Sequence, residues 1–167
     1  MKMGRKQFEQ VVAQASREQL KQYDHETNTV IPANGGIEEI LVYASPSNIA
    51  RIVGLYVDVP PTAPTGATGY QDLYFSYKVN TGTGNVNLDI AHGASGPSKN
   101  VTFQDSIWQT ADSGTFPDNS TVGSVMQNVQ FDSIVPFRIA YSNGTTVASN
   151  GGNRRYHITY IEREVRL

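Results

Sequence analysis

The chain has 167 residues, a hydrophobic content of 38%, no cysteine and a formal net charge of −2. That length suits one domain with a core large enough to need no staples, and the missing cysteines exclude disulfides and thiolate metal sites. The charge is uneven: residues 1–23 carry five Lys/Arg against Glu9 and Glu18, residues 154–167 carry four Arg against Glu162 and Glu164, and the stretch between them is acidic.

The first element read along the chain is helical. Over residues 4–23, Phe8, Val11, Val12, Ala15, Gln19, Leu20 and Tyr23 recur at the spacing of one α-helical face. The stripe is thin and interrupted by Ala15 and Gln19, too polar for a coiled coil. Such a helix is unstable alone in water. It must dock on its own domain or on a neighbouring subunit, and the reading leans to the neighbour. Residues 1–26 are therefore expected to form an N-terminal helical arm.

From residue 27 the vocabulary turns to Val, Ile, Tyr, Thr, Asn, Gly and Pro. Residues 29–36 read as a short strand and turn, and 37–44 as a strand closed by Ser45-Pro46-Ser47-Asn48. Residues 49–59 read as a long strand with Ile49, Arg51, Val53, Leu55, Val57 and Val59 on one side. A Pro/Gly/Thr loop covers 60–69. Residues 70–80 follow as a strand with Leu73, Phe75 and Tyr77 facing one way. The turn Thr81-Gly82-Thr83-Gly84 leads into the clean alternation Val86-Asn87-Leu88-Asp89-Ile90. Residues 93–100 read as a loop and 111–121 as a second, open one. Further strands are expected at 101–110, 122–131, 134–141 and 155–165. About eight to ten short strands with frequent turns and no βαβ rhythm predict a mainly β protein over residues 27–167. Its form is an antiparallel β-sandwich, jelly-roll-like, preceded by one amphipathic α-helix.

Little of this composes a reaction centre. His25, His92 and His157 are each isolated, without the paired spacing of a zinc site. Asp112, Asp118 and Asn119 share a loop but match no calcium-loop pattern, and such residues mostly make turns. No Ser stands in a nucleophile elbow, and the Gly pairs lack the following helix of a phosphate cradle. The expectation is no enzyme, no cofactor and no metal. The acidic body argues against nucleic acid. No apolar run approaches the ~20 residues that cross a bilayer, and no apolar core follows the basic start, so neither a membrane partner nor a signal peptide is expected. The sequons at Asn100, Asn119 and Asn143 read as chance matches. Trp108, Tyr70, Tyr74 and Phe116 lie in or beside loops; a place in the β core is the favoured reading, and stacking on a sugar is the alternative.

The closing segment carries a resemblance. Val135-Pro136-Phe137-Arg138-Ile139-Ala140-Tyr141-Ser142-Asn143-Gly144-Thr145, followed after a loop by Arg154-Arg155-Tyr156-His157-Ile158-Thr159-Tyr160-Ile161-Glu162-Arg163-Glu164, resembles the terminal hairpin of β-sandwich accessory proteins of tailed-phage virions. These are the capsid decoration, cement and head-fibre type. The match covers under a fifth of the chain, and the loop here is longer and Gly-rich. The resemblance implies a non-enzymatic bacteriophage structural protein on the virion surface, assembled in the host cytoplasm. Its partners would be the major capsid protein and its own copies, often as a trimer. Phe8, Val11, Val12, Leu20, Tyr23, Arg163 and Arg166 are the residues expected at that protein–protein interface. The alternative is a carbohydrate- or receptor-binding module of the tail-fibre adhesin type.

Overall fold

The computed structural model describes residues 18–60, 68–95, 101–104, 129–149 and 153–165. Nine strands occur among them: β1 (Glu18–Thr27), β2 (Gly36–Val42), β3 (Asn48–Val59), β4 (Gln71–Asn80), β5 (Asn85–Ser95), β6 (Val101–Gln104), β7 (Gln130–Asp132), β8 (Phe137–Asn143) and β9 (Arg154–Glu164). They build two antiparallel sheets. One runs β1-β9-β3, with β6 and β7 both on the far edge of β3; the other runs β2-β8-β4-β5.

The order has a simple origin. The chain doubles back at the β4–β5 hairpin, and the strands then pair outward from it: β3 with β6 and β7, β2 with β8, β1 with β9. Rolling that ribbon brings β9 against β3 and β8 against β4. The inward faces pack on each other. Ile40, Val42, Leu73, Phe75, Phe137 and Ile139 from one sheet meet Ala50, Ile52, Leu55, Val57, Tyr156 and Ile158 from the other, in one buried cluster. Phe131 and Phe137 cross the gap with ring centroids 6.2 Å apart. At about 1.5–3 kcal/mol for each large apolar side chain, this cluster is the main source of stability.

Two expectations are corrected. The helix expected over 4–23 lies outside the described residues up to position 17, and from Glu18 onward the chain is strand, not helix. Leu20 and Tyr23, placed on one helical face by the sequence reading, point to opposite faces of β1. Leu20 is 66% exposed, while Tyr23 packs on the core. The reason is pairing: all ten residues of β1 have partners on β9, from Glu18↔Arg163 to Thr27↔Arg154. A helix propensity of at most about 0.7 kcal/mol per residue does not withstand such a ladder. The second correction concerns β3. A register shift between Ile52 and Gly54 inserts Val53 as an extra residue. Ala50 and Ile52 face inward before it, and Leu55, Val57 and Val59 after it, so the strand does not keep one phase.

Polar groups inside the sandwich are matched with care. Arg154 on β9 is 2% exposed, and its Nε and Nη2 donate to the Glu38 carboxylate of β2, each at 2.9 Å. Nη2 also donates to the Thr29 carbonyl, the Tyr156 hydroxyl donates to Glu38 at 2.7 Å, and the guanidinium lies 5.5 Å from the Tyr141 ring centre. Burial alone would raise the Glu38 carboxyl, but the bonds from Arg154 and Tyr156 and the arginine's charge hold it below its usual range. Glu162, also 2% exposed, accepts from the Ser45 N–H and the Asn48 amide, fixing the turn in which Ser47 takes a left-handed φ of 65°.

Asn143 is fully buried. Its amide donates to the carbonyls of Ile31 and Val147, and its oxygen accepts from the Thr145 N–H and hydroxyl. This asparagine organises a turn and offers no nitrogen for a glycan.

The Glu38–Arg154 pair yields a direct test. Glu38→Ala leaves a buried guanidinium without its anion and is expected to cost about 3–5 kcal/mol in urea unfolding. The double variant Glu38→Leu/Arg154→Met removes both charges and is expected to be the more stable of the two. A double variant as unstable as the single one would show that the charge itself is not what the pair compensates.

Candidate functional site

The outer face of the four-stranded sheet is hollowed by a choice of small side chains in its middle row. Ala140 of β8 lies between Glu39 of β2 and Tyr74 of β4, and Ser142 lies between Ile37 and Asp72. Ser76 lies between Arg138 and Asp89. Large residues flanking small ones leave a depression, because cross-strand side chains stand only about 4.5–5.5 Å apart. Ala140 is 1% exposed and Ser76 fully buried, although both point away from the core. The result is a cleft of about 290 Å³ lined by Ile37, Tyr74, Asn87, Asp89, Arg138, Ala140 and Ser142.

Each wall is held in place. A register shift between Phe75 and Ser76 makes Ile90 the extra residue of β5. Ile90 and Ala91 both pack on the core, which turns Asp89 and His92 outward. The Tyr74 ring stacks on His92, with centroids 4.3 Å apart and planes 5° from parallel, and His92 Nε2 is 3.3 Å from Asp72. Burial first, then the charges of Asp72 and Asp89, push the Tyr74 hydroxyl up, so it remains a donor at neutral pH. At the opposite wall, Glu39 accepts from Arg138 Nε and Lys78 Nζ, both at 2.6 Å, and Arg138 Nη1 donates to Ser76. Burial would raise the Glu39 carboxyl, but those two cations keep it low.

The other outer face, that of the five-stranded sheet, carries the first and last of the described strands, β1 and β9. Leu20 stands opposite Ile161 and Glu18 opposite Arg163. With Ile49, Arg51 and Gln130, the residues Glu18, Ile161 and Arg163 line a shallow hollow of about 120 Å³. Further along, Asp24 bonds to His157 Nδ1, and His157 Nε2 is 3.3 Å from the Thr159 hydroxyl. The order carboxylate–imidazole–hydroxyl is that of a nucleophile relay. Here, however, Thr159 sits in the middle of a strand whose backbone donors serve the ladders with Gln22 and Gly54. An acyl-transfer site also needs donors aimed at an oxyanion, so the trio fastens β1 to β9. Among the described residues, no group of three His, Cys, Asp or Glu is placed to hold a metal ion. Among them too, no helix is long and apolar enough to cross a membrane.

Of the residues singled out from sequence, Leu20 and Arg163 come together on one exposed surface, and Tyr23 is drawn into the core of its own domain. Phe8, Val11, Val12 and Arg166 lie outside the described residues, as do Trp108, Phe116 and the loop with Asp112, Asp118 and Asn119. Tyr70 is 62% exposed just before β4, whereas Tyr74 is a wall of the cleft. The cleft's other members went unnoticed. Their signal was the outward polar set Asn87 and Asp89 in a clean alternation, with Ala140 and Ser142 as small outward residues of β8.

No protein-family model matches the chain, and no curated protein does. Two solved structures are similar over most of its length. One is a crystal structure of PirA, 11% identical, with a TM-score of 0.36, covering 83% of this chain and 93% of that one. The other is a chain of Desmodium yellow mottle tymovirus, 12% identical, with a TM-score of 0.35, covering 90% and 89%. Likenesses this slight carry no argument about function.

The carboxylates set a pH dependence. Glu38, Glu39 and Glu162 are all held below their ordinary value of 4.5. A depressed carboxyl stabilises above its unfolded value and loses that contribution as pH falls through the folded one. Thermal unfolding is therefore expected to be flat above about pH 5 and to drop steeply below pH 4.5. Glu162→Gln should shallow that drop; an unchanged acid limb would exclude Glu162 from it.

Proposed function

We propose that this protein is a non-enzymatic structural subunit of a virion, of the capsid decoration or cement type, which attaches through its terminal strands. The strand order β1-β9-β3 with β6 and β7, over β2-β8-β4-β5, is the winding of a jelly roll, a fold that serves both capsid and lectin domains. Fold alone does not choose between those uses. The observation that carries the reading is the convergence of Leu20 and Arg163 on one face. Both are docking residues in the sequence reading, and the β1–β9 pairing sets them beside a hollow at the Glu18 end of β1.

The chemistry suits reversible docking. Leu20, 66% exposed, offers an apolar anchor, and Arg51 and Arg163 flank the hollow with charge. Buried apolar anchors inside a polar rim are the usual anatomy of an interface. β1 has a single neighbour among the described residues, β9. A strand from another chain pairing along its other edge, as in β-augmentation, is part of this reading. The partners of this reading are the major capsid protein and further copies of the chain, with a trimer as the form to look for, on the outside of the particle.

The test uses the full chain. Leu20→Asp with Arg163→Glu changes two exposed side chains, so the fold should stay within about 1 kcal/mol of the parent. Mass in solution should fall to that of a single chain, and binding to the cognate particle should drop at least tenfold. Unchanged mass and unchanged particle binding in a folded double variant would overturn the proposal.

A further inference from the structure

The cleft on the four-stranded sheet lies on the opposite side of the sandwich from the terminal strands, and docking at the termini makes no use of it. Its polar lining is incompletely occupied. Among the described residues, the side chains of Asn87, Asp89 and Ser142 have no hydrogen-bond partner, and all three border the same space. The Tyr74 hydroxyl adds a fourth group that both donates and accepts. Arg138, by contrast, is already committed to Glu39 and Ser76.

The charge balance narrows the ligand. The two charged residues that line the cleft, Arg138 and Asp89, offset one another. A charged ligand would gain no net attraction there and would still have to shed its hydration. An apolar ligand would leave Asn87, Asp89 and Ser142 unsatisfied, at about 1–3 kcal/mol for each buried group. A neutral molecule dense in hydroxyls satisfies carboxylate, amide and hydroxyl together. It also needs an apolar contact, and Ile37, 61% exposed at the rim, with Ala140 beneath, supplies one for a face of C–H groups. A volume of about 290 Å³ is at the small end of ligand sites, so the space takes about one ring.

We infer that this cleft is a saccharide-binding site that holds a single neutral pyranose. Asp89 and Asn87 bond its hydroxyls, Tyr74 and Ser142 close the polar side, and Ile37 meets its apolar face. The stack on His92 fixes the Tyr74 ring before the sugar arrives, which spares the entropy of ordering it. A single sugar ring in so open a site binds with a dissociation constant on the order of millimolar. Tight attachment would then require several copies acting together.

The experiment is a saturation-transfer and chemical-shift titration of the full chain. The probes are the methyl α- and β-glycosides of glucose, galactose, mannose and N-acetylglucosamine, with a sialoside and methylamine as charged comparisons. At least one neutral glycoside is expected to bind, with shifts confined to the neighbours of Tyr74, Asp89 and Ala140. Asp89→Ala and Asn87→Ala should each weaken it about tenfold or more, since both sites are exposed strand positions and the fold survives their truncation. Leu20→Asp on the far face should leave the affinity unchanged, which separates this site from the terminal one. The inference is overturned if no neutral glycoside binds at millimolar concentration. It is equally overturned if binding persists in both Ala variants, or if the charged probes bind in preference.

Discussion

An arginine sealed between two sheets sets the terms for the rest of this fold. Arg154 cannot reach water, so each part of its guanidinium must be met by the protein, and the groups that meet it come from three separate stretches of chain. Glu38 brings β2, Thr29 brings the link between β1 and β2, and the Tyr141 ring brings β8. An apolar core tolerates small sliding of one sheet over the other; a forked ion pair with fixed distances does not. Such a pair contributes little net stability against a well-packed apolar substitute, but it penalises any register that leaves it unmatched. The pair thereby ties β9 of one sheet to β2 of the other.

With the interior fixed, the two outward faces are free to differ, and they do. One carries the terminal strands, with charged residues in cross-strand rows and an exposed leucine. The other is indented, because Ala140, Ser142 and Ser76 occupy the middle of a sheet whose margins are larger. The β5 bulge adds to this by turning Asp89 and His92 the same way. The attachment proposed for one side and the saccharide binding proposed for the other require none of the same residues.

Much of the β domain was readable from sequence because its strands alternate. The inward set Tyr156, Ile158, Tyr160 and Glu162 on β9 falls where period two puts it, as do Leu73, Phe75 and Tyr77 on β4. What failed was phase and context. The period of β3 changes at Val53, and no local signal marks an extra residue there. β1 opens with Glu, Gln, Leu, Lys and Gln, residues at home in helices, and only its distant partner β9 makes it a strand. The cleft was hidden for a related reason. Its members sit on β2, β4, β5 and β8, and nothing in the order of residues says that Asp89 and Ala140 will share a hollow. Tyr74 alone was picked out, as a candidate to stack on a sugar.

The position of β9 has a consequence for how the molecule comes into being. It is the last of the described strands in chain order, yet it lies between β1 and β3, so the five-stranded sheet lacks a central member until β9 has been made. β1 and β3 must wait as unjoined edges while more than 90 residues are made after β3, and their eventual contacts are among the most distant in sequence. Such topologies fold slowly and leave pairing edges open on the way. The polar and charged residues of β1 disfavour pairing of that open edge with another chain in the meantime.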